Sequence, residues 1–409
     1  MRTLRWLRWA AAIATVLIAM PAFAYKIQIA EHTTLNIDYL LQVQAQFAEK
    51  GAPDGTAWSK DFFVRRSRIL LFGDLWKNIS FFFETDQANW GKGGKWDAAF
   101  FVQDAYVTFK VVEAFQVDVG MILLPFSRAN LQGAIGLNAL DYHLNLIKFV
   151  PGSHHVWRDM GIQLRGTAAN KKFSYRLGVF NGAQGQSLQK DAAGAVVKDA
   201  AGKDVLKSNP EDWPRFAGHV RYSILGDDTA FFFKGLHFAT APIVSIGAGF
   251  DYQHAAVMDR PADLDKDRNV VKKATVTHAL AFSADVYADV PIGKNQEFVL
   301  QAGFFWYDHG NDLVYAKDGT RSVVAAKSSG LGIMTEVGYR YDFVEPVFCA
   351  DWFHGKRDDN DILDLRGGVN FWIRNHNASI KAEFSGTKMG NLDKAKWGKA
   401  FTTQAQLFF

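Results

Sequence analysis

"TTLNIDYLLQVQAQF", residues 33–47, sets an apolar side chain at every odd position from Leu35 to Phe47, while the even positions read Asn36, Asp38, Leu40, Gln42, Gln44 and Gln46. A period of two marks a strand with one apolar and one wet face, and this one outruns the strands of ordinary globular sheets. A strand tilted across a bilayer needs about ten residues in hydrocarbon and can continue beyond it. On that reading the odd face meets lipid and the even row meets water.

The first 24 residues bear on where the chain goes. Arg2, Arg5 and Arg8 precede an apolar run from Ala10 to Met20, and "AFA" ahead of Tyr25 supplies small residues for cleavage. This reads as a secretory signal peptide, residues 1–24, cleaved after Ala24. Residues 25–409 are then expected to form one domain. The apolar run is too short for a spanning anchor and Pro21 follows it at once.

Composition narrows the class further. The chain carries 12 Trp, 12 Tyr and 34 Phe, yet no apolar run after residue 24 approaches the length of a spanning helix. A helical membrane protein is therefore excluded. Its 46 basic residues include three in the first 24, which leaves 43 against 42 acidic ones, so charge points to no nucleic-acid partner. A single cysteine, Cys349, excludes an intrachain disulfide and a C-x-x-C-H haem attachment.

Alternation like that of the opening stretch recurs to the end of the chain. Counting an irregular segment from Phe62 to Phe72, it gives sixteen candidate strands, an even number as in single-chain bacterial outer-membrane barrels. Short connectors such as "GDLWKN", "KVVEAF" and "RNHN" alternate with longer ones at 49–59, 87–97, 124–157, 181–213, 254–273, 309–328 and 387–397. Residues 225–241, "LGDDTAFFFKGLHFATA", fall on the short side yet are long.

In hydrocarbon every backbone N–H and C=O must be paired, so a sheet spans only by closing on itself. The expected fold is all-β, a 16-stranded antiparallel transmembrane β-barrel in the outer membrane of a Gram-negative bacterium, in contact with lipid and lipopolysaccharide. The final "FTTQAQLFF" alternates and ends on an aromatic residue, like the terminal strand of bacterial outer-membrane proteins. A secreted β-sandwich or β-helix would also alternate. A sandwich seldom needs sixteen strands with long loops on one side, and no short solenoid repeat is present.

The segment after the fifth strand, "LLPFSRANLQGAIGLNALDYHLNLIKFVPGSHHVWRD", is long and fairly apolar. Leu137, Leu140, Leu144 and Ile147 are spaced 3, 4 and 3, which predicts a short amphipathic helix. The expectation is a loop folded into the barrel, apolar side to the wall. A loop packed over the rim or on a neighbouring subunit is the alternative.

The chain resembles the phosphate-selective porins O and P of Gram-negative outer membranes. The resemblance rests on "FVRRSRILLFGDLWKNISFFFETD", "QDAYVTFK", "VDVGMILLPFSRANLQ", "RDMGIQLRG" and "FSYRLGVFNG", and is clearest from about residue 60 to 185. It implies a sixteen-stranded barrel, a homotrimer, an inward-folded third long loop corresponding to Pro125 to Arg158, and basic lumen side chains for anions.

Selectivity in a wide pore comes from rings or ladders of like charge. Alternation turns Arg165, Arg176, Arg215, Arg221, Arg366, Lys381 and His219 inward; Arg66 and Arg68 are expected to join them. Arg128, Lys148 and Arg158 sit in or beside the candidate constriction with Asp141, Asp159, His143, His154 and His155. The same phase points Asp38, Glu84, Asp86, Asp104, Asp118, Asp251, Asp285, Glu297, Glu336, Asp351, Asp364 and Glu383 inward, so the expected lumen is mixed and most charges should pair across strands. Arg165, Arg176, Arg215 and Arg221, with fewer acids nearby, are expected to form a basic strip for small anions such as phosphate or organic acids.

No catalytic residue, metal ligand set or cofactor is expected: "SHHV" puts adjacent histidines on opposite faces of a strand, no H-E-x-x-H occurs, and Ser153 beside His154 is mere adjacency. The leading reading is a passive diffusion porin. The alternative is a scaffold barrel sheathing a periplasmic electron-transfer cytochrome or another threaded partner.

Overall fold

A computed structural model describes residues 25–97, 99–148, 157–183, 194–198, 202, 204–205, 209–260, 263–264, 270–272, 275–310, 314–315, 321–322, 329–356 and 360–409. The signal-peptide reading, His154 and His155 lie outside the described residues.

Sixteen strands form the barrel wall: β1 (Thr33–Ala48), β2 (Asp61–Trp76), β3 (Ile79–Gln87), β4 (Phe100–Val112), β5 (Phe115–Leu123), β6 (Arg158–Ala168), β7 (Phe173–Phe180) and β8 (Arg215–Leu225), followed by β9 (Ile243–Arg260), β10 (Thr275–Gly293), β11 (Gln296–Asp308), β12 (Gly330–Tyr341), β13 (Val344–Gly355), β14 (Ile362–Arg374), β15 (Ala378–Met389) and β16 (Gly398–Phe408). Each pairs antiparallel with its neighbours in sequence, and β16 returns to β1, from Leu40↔Phe408 to Ala48↔Ala400. A short strand, Tyr25–Ala30, pairs with the start of β1 beyond that seam. Every segment expected to be a strand from its alternation is one.

The two faces of the wall separate as the opening stretch requires. On β1, Gln42 and Gln44 are buried while Ile37 and Val43 are exposed. Phe282, Phe304, Ile333, Phe348 and Phe384 continue that exposed apolar belt around the wall. The irregular β2 owes its broken alternation to a β-bulge: Gln42 pairs with Arg66 and Val43 with Val64, leaving Arg65 without an opposite number. Arg65 and Arg66 consequently both reach one carboxylate, Asp141.

The predicted helix over Leu137–Ile147 is absent. The segment holds one 3-10 turn, Ala134–Gly136, and otherwise non-helical backbone. The physical reason is competition for its carbonyls: Lys381 Nζ donates to Leu137 O (2.6 Å), Asn138 O (3.2 Å) and Ala139 O (3.0 Å), so they are engaged by the wall instead of by a helical ladder. Leu144 is exposed while Leu137, Leu140 and Ile147 are buried, so the four do not share one face.

Candidate functional site

Two chain segments meet and pack against buried side chains of the wall strands. Residues 124–148 follow β5, and residues 226–242, the long connector of the turn side, link β8 to β9. Their backbones bond directly: Phe233 N–H donates to Leu131 O (3.0 Å), Gly133 N–H to Phe233 O (3.1 Å) and Gly235 N–H to Gly136 O (2.7 Å). Only a glycine fits at 235, because a Cβ there would stand 2.4 Å from Asn138 N. Phe126, Ala129, Leu146 and Ile147 pack on Phe305, Tyr307, Met334 and Phe353, an apolar patch on the inner face of β11, β12 and β13.

The wall holds the 226–242 insert through carboxylates aimed at its backbone. Asp289 accepts from His237 N–H (2.7 Å) and Glu297 from Ala239 N–H (2.5 Å). His376 Nε2 donates to Leu236 O at 2.7 Å; burial drives its imidazole down to about 3, so it serves as a neutral donor.

Nearly every arginine expected in the pathway has an acidic partner. Arg68 bridges Glu84 (2.8 Å) and Asp86 (2.9 Å). Arg158 lies 2.9 Å from Asp104, and Arg165 Nε 2.8 Å from Asp118. Arg215 contacts Asp159 (3.3 Å) and Asp251 (3.2 Å). Arg366 binds Asp351 and Asp364. Lys148 Nζ stands 4.4 Å from the centroid of Phe353.

The junction of the two segments is centred on Asp228, a residue of the insert that alternation could not assign. Its carboxylate takes Arg128 Nε (3.1 Å) and Arg221 Nη1 (3.0 Å). Arg221 also bonds Asp285, and Arg128 lies 3.5 Å from the centroid of the Tyr287 ring. Burial would raise the Asp228 carboxyl, but Arg128, His237 and Arg221 outweigh it and hold it well below the usual carboxylate range. Asp141 is held low in the same way, by Arg66 and Arg65 against its burial.

The expected strip of Arg165, Arg176, Arg215 and Arg221 is thus corrected in one respect. Its strands β6, β7 and β8 are adjacent, and Arg165 pairs directly with Arg176 across them. Acids are not scarce, however: Asp118, Asp159, Asp251, Asp285 and Asp228 arrive from β5, β6, β9, β10 and the insert. Arg176 differs from the rest, since its Nη2 donates to the carbonyls of Ala230 (2.9 Å) and Phe231 (2.5 Å).

Sequence reasoning missed the aromatic part of the interior. Phe233 lies under Arg128, Arg176 and Arg221, and Phe231 under Arg165 and Arg176, each guanidinium carbon about 5 Å from the ring centroid. The signal available was "AFFFKG" in a connector too long for a turn.

Closed antiparallel barrels of sixteen strands with an apolar exterior and a charged interior are the architecture of bacterial outer-membrane barrels, and solved structures of that shape align with this one. OprB of Pseudomonas putida aligns over 92% of this chain and 94% of its own, with TM-score 0.58 and 11% identity. An anion-selective porin from Comamonas acidovorans aligns over 92% and 100%, with TM-score 0.53 and 12% identity. OmpT, an outer-membrane protein of Vibrio cholerae in its trimer form, aligns over 93% and 100%, with TM-score 0.50 and 12% identity. Residues 37–205 match the family of phosphate-selective porins O and P, as the sequence motifs indicate. No curated protein matches the chain in sequence. Together the family match and the fold support an outer-membrane channel.

Proposed function

We propose that this protein is a passive outer-membrane channel for small solutes with a preference for anions, among them phosphate, other oxyanions and organic acids, assembled as a homotrimer. The segment 124–148 and the insert 226–242 narrow the path between them. The observation that carries the anion preference is the Arg165–Arg176 pair. Like charges set directly opposite on neighbouring strands destabilise a sheet, yet here two arginines face each other across β6 and β7, with Asp118 the one carboxylate paired to either among the described residues and two carbonyls taking Arg176. An anion entering between them would relieve that repulsion, and weak binding suits conduction because the solute must leave again.

The family match and the anion-selective porin among the structural neighbours support this reading, and the OmpT trimer form supports the assembly. Sheathing of a threaded partner has no such support; Phe126, Arg128 and Phe233 occupy the interior that a partner would need. Zero-current potentials of the purified protein in a potassium chloride gradient test the proposal, with phosphate, sulfate and organic acids as blockers. Arg176→Gln is expected to shift the potential toward cation preference. An unchanged potential would remove the pair from selectivity, and absence of conductance would remove the channel.

A further inference from the structure

The interior aromatics form a continuous surface rather than scattered contacts. Phe72, Phe82 and Tyr106 stand directly opposite one another on the inner face of β2, β3 and β4. Phe82 stacks on Tyr106 with centroids 5.5 Å apart and planes at 23°, and Phe231 of the insert stacks on Tyr106 at 5.3 Å and 21°. Beside Tyr106, β5 carries Gly120 at φ 139, where any Cβ would collide with Ala105 O. Side-chain bulk is therefore missing next to the stack. The rings line a half-open cavity of about 300 Å³ together with Thr108 and Arg165. Arg165 commits its Nε to Asp118, and its two Nη nitrogens have no hydrogen-bond partner among the described residues. Its side chain remains 21% exposed. Asp74, from β2, also lines the cavity, and its carboxylate accepts from Thr34 Oγ1 at 3.3 Å.

From this geometry we infer that the cavity at the turn-side end of the lumen is a binding site for aromatic carboxylates, the ring lying on the Phe82–Tyr106–Phe231 surface and the carboxylate taking the free Nη groups of Arg165. A benzoate-sized molecule fits the volume. Flat rings gain from offset stacking on other rings, and a carboxylate matches the fork of a guanidinium in a bidentate fashion. A small inorganic anion would use Arg165 and leave the aromatic faces idle. This deepens the anion-channel reading and rests on it only for how the ligand arrives.

The test is 19F NMR of 4-fluorobenzoate with the purified full-length barrel in detergent. Fluoroacetate serves as the carboxylate without a ring and 4-fluorobenzyl alcohol as the ring without a charge. Binding of 4-fluorobenzoate should exceed that of both by about tenfold, the scale of one charge-assisted hydrogen bond or one good stacking contact. Arg165→Gln should weaken it about tenfold and Arg165→Lys less. Phe82→Leu and Tyr106→Leu should weaken 4-fluorobenzoate while leaving fluoroacetate unchanged, with far-UV circular dichroism confirming the strand signature of each variant. Equal binding of the three probes, or ring variants indistinguishable from the parent, would overturn the site. Conductance is read separately: an anion-selective pore indifferent to the ring sinks this inference alone, and a barrel that binds 4-fluorobenzoate without conducting sinks the channel reading alone.

Discussion

Asp228 ties two arginines from different parts of the chain to the insert. It is fully buried, pairs with both Arg128 and Arg221, the latter shared with Asp285, and belongs to the insert while its partners belong to the 124–148 segment and the wall. Removing one member of a buried charge pair costs about 3–5 kcal/mol, because the other is left unpaired. Asp228→Ala should lower the thermal midpoint of the purified barrel and, by loosening the insert, raise its single-channel conductance. A parent-like midpoint and conductance would show that the junction is held elsewhere. His143 offers a pH-dependent counterpart. Its Nδ1 stands 2.5 Å from Asp351 and its Nε2 3.3 Å from Glu336, with Arg366 alongside opposing the charge. Burial alone would lower its pKa, but Asp351 chiefly raises it to about 9. The folded value thus lies above the ordinary one of about 6.5. The stabilisation it gives the 124–148 segment is complete below that ordinary value and lost as pH rises through about 9. Conductance or protease sensitivity at this segment should rise between pH 8 and 10 and should do so no longer in His143→Gln. A profile equally steep in the variant would acquit the histidine.

At the scale of elements, the insert 226–242 is the unit whose removal should matter most. Replacing residues 229–239 with a short turn deletes Phe231, Phe233 and the backbone bonds to 131–136 while leaving every wall strand intact. Single-channel conductance is expected to rise several-fold with heat-modifiable gel migration retained; an unchanged conductance would mean that the path runs clear of the insert. The wall strands were legible in the sequence because lipid on one side and water on the other impose a period of two, and that period put Asp104 and Arg215 on the wet phase, where both side chains are buried. The β2 bulge hid the orientation of Arg65, since one extra residue shifts the phase without leaving a mark in composition. The helix expected over Leu137–Ile147 failed for a related reason: its spacing was right, but Lys381, more than two hundred residues away, claims the carbonyls. The insert was legible only as an anomaly of length. Its role depends on Asp289, Glu297 and His376, which come together only once the cylinder closes.

The whole molecule divides free energy between two solvents. Phe304 belongs to the exposed belt and sits near the middle of β11, so Phe304→Arg places a charge against hydrocarbon. The expected destabilisation is about 2–4 kcal/mol, read as a lower urea midpoint for refolding into lipid vesicles. A parent-like midpoint would contradict lipid on that face. The seam adds a constraint of another kind. Gln42 of β1 and Gln406 of β16 bond each other at 2.7 Å, and the same two amides donate to Ala134 O (3.2 Å) and Ile135 O (3.1 Å) of the 124–148 segment. Phe409 and Tyr39 complete the join through reciprocal backbone bonds. First and last strands are thus riveted to the cargo they enclose as well as to each other. Sealing the staves and seating the contents draw on one shared set of bonds, and a change at Gln42 or Gln406 touches both.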